Sequence, residues 1–73
     1  MEDNNVRNNI NVSFKPRVKL VGTDGNAFSI LGRVKNALIK AGLNDQAERF
    51  LKEATSGDYE HLLITCMKYV DVY

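Results

Sequence analysis

An α+β domain, one short β-strand or hairpin packed on three α-helices, is the fold class that these 73 residues predict. Three observations lead there. Apolar and polar residues alternate around Ile10, Val12 and Phe14 and again around Val18 and Leu20, the period of a half-buried strand. Three later stretches, about 27–41, 45–55 and 58–70, instead repeat apolar residues at helical spacing. Glycine-bearing breaks at Gly25, Gly42 and Gly57 separate these segments.

Residues 1–9 are rich in Asn and charge. They offer too little apolar surface to offset ordering entropy and read as a disordered tail ahead of a single small domain at 10–73. Pro16 interrupts the alternating stretch. Either Lys15, Pro16 and Arg17 turn a hairpin, or the run is one edge strand with proline toward solvent. The short loop has no glycine, so one strand, firm over 17–21, is the preferred reading.

Gly22, Thr23, Asp24, Gly25 and Asn26 form a dense turn signal. Gly25 is read as the residue with positive φ, and Asn26 or Asp24 as the cap of the first helix. On that helix Ala27, Ile30, Leu31, Val34, Ala37, Leu38 and Ala41 share one face, opposite Ser29, Arg33, Asn36 and Lys40. Gly42 supplies its left-handed end. Asp45 and Glu48 have the spacing of a capping box for the second helix. Its narrow stripe of Ala47, Phe50, Leu51 and Ala54 is expected to cover the core without entering it deeply. Ser56 or Asp58 caps the third helix, where Tyr59, Leu62, Leu63, Cys66, Met67, Tyr69 and Val70 form a wide apolar face and Ile64 is apolar but exposed. Leu31 and Leu63 are both taken as core. Residues 69–73 are β-prone and could peel off to pair with the first strand, but the preferred reading keeps the helix to about 70.

A strand, an Asp-Gly-Asn-Ala-Phe turn at 24–28 and a Ser-Gly-Asp-Tyr helix start at 56–59 together resemble a family of small uncharacterised bacterial and phage-type proteins. The resemblance covers most of residues 17–73. It implies this arrangement of strand and helices and no activity, so no site residue is carried over from it.

Charge is unevenly placed. Residues 1–42 hold seven Lys or Arg against three Asp or Glu, and residues 43–73 hold three against six. The bland reading is solvated charge; the sharper one is steering of a charged partner or head-to-tail self-association. Cys66 is the only cysteine, so no internal disulfide forms, in keeping with a reducing compartment. There is no apolar run of signal-peptide or membrane-spanning length. A cytoplasmic protein with no membrane contact is the expectation.

No catalytic, metal or cofactor pattern emerges, and an enzyme is not expected. Asp24, Gly25 and Asn26 make a polar loop site at a helix start, a place that suits anions. Asp24 repels a phosphate, however, and a plain strand-to-helix corner explains the same residues. His61 follows Asp58 by three positions but is expected on the solvent face, about 140° round the helix from Cys66. One His and one Cys fall short of a zinc set, and Asp24, Asp58 and Asn26 lack calcium-loop spacing.

Two surfaces remain. Lys15, Arg17, Lys19, Arg33 and Lys40 make a candidate basic face for nucleic acid. Phe28, Ile39, Ile64, Val72 and Tyr73 are apolar residues that a simple core does not consume, a candidate interaction surface. The function read from the sequence is a small non-enzymatic interaction or accessory module of phage or mobile-element type, acting by self-association or contact with another protein. The alternative is a nucleic-acid-binding accessory protein.

Overall fold

The computed structural model describes residues 15–73. The expected tail at 1–9, and the Ile10, Val12 and Phe14 half of the hairpin-or-strand question, lie outside the described residues. Within them the chain runs β1 (Arg17–Val18), α1 (Ala27–Lys40), α2 (Asn44–Ala54), α3 (Tyr59–Tyr69) and β2 (Asp71–Val72). This is an α+β fold of three helices and a two-stranded parallel sheet, with about 61% of the described residues helical.

The sheet corrects the sequence reading at both ends. The ladder at 17–21 is only two residues long, and its partner, just past the expected end of α3, is the strand pairing that was the less favoured reading of residues 69–73. Arg17 pairs with Asp71 and Val18 with Val72. Parallel strands need a long crossover, and here the three helices provide it. Val70 leaves the helix with φ −139° and ψ 160°. It and Val72 are β-branched and suit an extended backbone. Pro16 donates nothing but accepts from the Asp71 N–H at 2.9 Å, and the Tyr73 carbonyl takes the Leu20 and Val21 N–H groups at 2.6 and 3.0 Å. Positive φ falls on Gly22 (78°) rather than Gly25. With Thr23 N–H on the Leu20 carbonyl at 3.1 Å, Gly22 takes the position where a type II turn requires such a residue.

The first helix forms as its sequence dictates. The Asn26 side chain accepts from Phe28 N–H at 2.8 Å. At the other end Gly42 N–H bonds the Ile39 carbonyl and Leu43 N–H the Leu38 carbonyl, with Gly42 at φ 79°. That pair of bonds is a Schellman ending. It sends the chain directly into α2, which starts at Asn44, so Asp45 and Glu48 form no capping box and α2 has no side-chain cap. Asp58 caps α3 by accepting from His61 N–H at 2.9 Å.

Ile30, Val34 and Leu38 of α1 meet Ala47, Phe50 and Ala54 of α2, Leu62 and Cys66 of α3, and Val18 and Val70 beside the sheet. Phe50 is the largest fully buried side chain, so α2 enters the core rather than lying over it. Its ring meets that of Tyr69 edge-on at 5.6 Å. Burying a side chain of this class stabilises by roughly 1.5–3 kcal/mol, and Phe50 anchors α2 accordingly. Leu31 and Leu63 pack at the margin of the core, half-buried. Thr65 is buried and donates its hydroxyl to the His61 carbonyl at 2.8 Å, which satisfies a polar atom inside an apolar cluster.

Candidate functional site

Two concave surfaces stand out, one apolar and one basic. The apolar groove, about 320 Å³ in volume, is walled by Leu20, Val21, Ile30, Leu63, Met67 and Val72, with Tyr59 at its end near Asp24 and Gly25. Its position follows from the fold. The turn after β1 brings Leu20 and Val21 up, Ile30 comes from the first turns of α1, and β2 places Val72 beside the outer edge of α3. Val21 is 70% exposed, Met67 56% and Tyr59 47%. These exposed residues are contiguous with the half-buried ones and together form the groove's apolar lining.

The sequence places Met67, Leu63 and Tyr59 on the wide apolar arc of α3 but gives no sign of how much of that arc is covered. The fold leaves one edge of that arc uncovered. Of the residues expected to form an interaction surface, only Val72 lies in the groove, and it is half-buried, paired in the sheet and packed on the core rather than spare. Phe28 is 83% exposed and shares a flank of α1 with Ile39, about 160° from Ile30 at 100° per residue. Ile64 is exposed on α3 and Tyr73 stands beside Arg17.

The polar loop of Asp24, Gly25 and Asn26 is a tied corner. Asp24 accepts from Asn26 N–H at 3.0 Å and from the Ser29 hydroxyl at 3.2 Å. The Tyr59 hydroxyl donates to the Gly25 carbonyl at 2.6 Å, fastening the start of α3 to the start of α1. Both carboxylate oxygens of Asp24 thus serve their own loop.

The basic hollow, about 360 Å³, is lined by Arg17, Lys19, Arg33, Asn36 and Lys40, with Val18 and Ala37 as its floor. The structure brings together four of the five residues of the expected basic face. Lys15 is separate, because its ammonium donates to the Met67 carbonyl at 3.1 Å and so caps the C-terminal end of α3, where a cation is favoured. Among the described residues no acidic side chain lines the hollow, and none of its cations is paired with a carboxylate. The Arg17 guanidinium lies 4.3 Å over the Tyr73 ring, a cation–π arrangement.

His61 does not face solvent as expected. Its Nε2 is 2.7 Å from the Glu53 carbonyl and 3.3 Å from the Ser56 hydroxyl. A carbonyl only accepts, so Nε2 carries a hydrogen there and the ring caps the end of α2. Glu53 itself binds the Lys68 ammonium and accepts from the Tyr69 hydroxyl at 3.1 Å. The Lys68 bond first, then that of Tyr69, hold the Glu53 carboxyl below its ordinary value. The same bond raises Lys68. Burial, then the bond to Glu53, raises Tyr69. Burial likewise pushes the Cys66 thiol up, the direction of an unreactive cysteine. Among the described residues, no three His, Cys, Asp or Glu side chains gather as a metal set, and no helix is long and apolar enough to cross a membrane.

No protein-family model, curated protein or solved structure matches the chain, so the functional reading rests on the geometry of these two surfaces.

Proposed function

We propose that this protein is a non-enzymatic interaction module that takes an apolar segment of another polypeptide into the groove between the β1 turn and α3. The observation that carries this reading is the groove itself, where exposed Val21, Met67 and Tyr59 join half-buried Leu20, Leu63 and Val72 around Ile30. Covering apolar surface releases about 25 cal/mol per Å², and Met and Tyr are enriched at the centres of interfaces. The tied corner at Asp24 and the sheet hydrogen bonds fix the groove walls. Little ordering is therefore required of the module when the segment binds.

The test is photocrosslinking in host cells with a reactive residue at position 67 and, as control, at position 48, an exposed site on α2. Discrete adducts from position 67 that disappear when Val21→Glu is added in the groove support the reading. Adducts that resemble those from position 48, or that survive Val21→Glu in a folded protein, refute it.

A further inference from the structure

The basic hollow lies apart from the groove and shares no lining residue with it. We infer that it is a binding site for single-stranded nucleic acid, holding the sugar–phosphate backbone on Lys19, Arg33 and Lys40 and an unpaired base against Arg17 and Tyr73.

The charge argument comes first. Four cations, from β1, the residue after it and α1, face one hollow that no carboxylate of the described residues lines. The local field is therefore positive although the whole chain carries only +1. Arg33 and Lys40 are seven positions apart on α1, about 10.5 Å along its axis at 1.5 Å per residue. Seven positions are close to two turns, so both side chains leave the same face of α1 and can hold separate phosphates of one strand. Asn36 lies between them, with an amide that both donates and accepts. Val18 and Ala37 keep the floor apolar and low, so that a backbone can approach without displacing a bulky side chain.

The second observation is the pairing of Arg17 with Tyr73. In the sheet Arg17 stands opposite Asp71, yet its guanidinium lies over the half-exposed Tyr73 ring. The guanidinium is planar and already oriented by the ring beneath it, which is a platform for the face of a base. A base within a duplex is already stacked on both sides and cannot use that platform. An acidic peptide satisfies the cations but gains nothing from it. The arrangement therefore favours an unpaired strand over either.

Fluorescence anisotropy tests this with a labelled oligothymidylate of about a dozen nucleotides, the matching duplex, and polyglutamate as competitor. With three phosphate contacts, affinity for the single strand should fall about 20-fold between ~50 and ~200 mM salt, from a slope near −0.7 per contact. Arg33→Ala and Lys40→Ala, at exposed helical positions where alanine is well tolerated, should each reduce that slope by about 0.7. Tyr73→Ala, whose backbone bonds remain, should weaken single-strand binding about tenfold with the slope unchanged. Lys52→Ala on α2 should change neither.

Absence of binding at low salt overturns the inference. So does a duplex or polyglutamate that binds as tightly as the single strand, or a Lys52→Ala effect equal to that of Arg33→Ala. Met67→Glu should leave oligonucleotide affinity intact, so the fate of this site is read separately from that of the groove.

Discussion

Gly57 sits where the chain passes from α2 to α3, and replacing it with alanine probes how closely those helices are joined. A Cβ there would lie 2.7 Å from His61 Cγ, 2.8 Å from its Cβ and 2.9 Å from its Cδ2. Normal carbon–carbon contact begins near 3.5 Å, so His61 or the turn must shift by roughly 0.7 Å. The crowded atoms include the His61 Cβ, which is fixed to the backbone and cannot swing aside. The shift also disturbs the 2.7 Å bond from His61 Nε2 to the Glu53 carbonyl.

Overpacking of this kind costs about 1–3 kcal/mol, and a lost hydrogen bond about 1 kcal/mol. Alanine recovers about 0.4–1 kcal/mol by restricting the unfolded chain. The net expectation is a loss of about 1–3 kcal/mol, large for a domain whose described part is this small. Urea unfolding followed by helical circular dichroism measures it. His61→Ala removes two of the three clashing atoms, so the double variant should lose less than the sum of the two single losses. A Gly57→Ala protein as stable as the wild type, or additive single losses, refutes the close approach of His61 to this turn.

Three further predictions follow from other positions. Gly42→Ala should cost about 1–2 kcal/mol because position 42 is left-handed, whereas Gly32→Ala, in mid-helix with open space at its Cβ, should stabilise by about 0.5–1 kcal/mol; thermal unfolding compares the two. Leu38→Ala, at a fully buried position, should cost about 2–5 kcal/mol and half-buried Leu31→Ala less, and chemical denaturation that reverses this order would mean the inner face of α1 is misplaced. Glu53 has a lowered folded pKa, so its contribution is present above the ordinary glutamate value of 4.5 and is lost as pH falls through the lowered one. Glu53→Gln should therefore flatten the acid decline in melting temperature below about pH 4.5, and an unchanged acid limb would contradict the Lys68 and Tyr69 bonds.

The helices were legible because their information is local. Ile30, Val34 and Leu38 recur at helical spacing, Asn26 caps, and Gly42 ends the first of them. The sheet was not, because two-residue strands carry almost no periodic pattern and their partners lie on opposite sides of three helices in sequence. The β-prone run at 69–73 suggested pairing with the first strand as the less favoured reading, but nothing near it fixed the parallel register of Val18 with Val72. His61 was misread for a similar reason. Helical angle alone put it outside, whereas the α2–α3 turn folds the end of α2 over it. For the basic hollow, counting cations found its members, but only the path of the chain separates Lys15, which caps α3, from the other four. The apolar groove was hidden because a wide helical arc gives no sign of where its cover stops.

The parallel pairing of Arg17 with Asp71 and Val18 with Val72 has a kinetic meaning. Each helix can begin from contacts within its own stretch, but these two rungs close a loop that encloses all of them, and closure entropy makes such contacts late. The platform of Arg17 on Tyr73 and the groove wall at Val72 exist only after that closure. The groove and the hollow are therefore both incomplete in a chain whose helices have formed but whose two rungs have not.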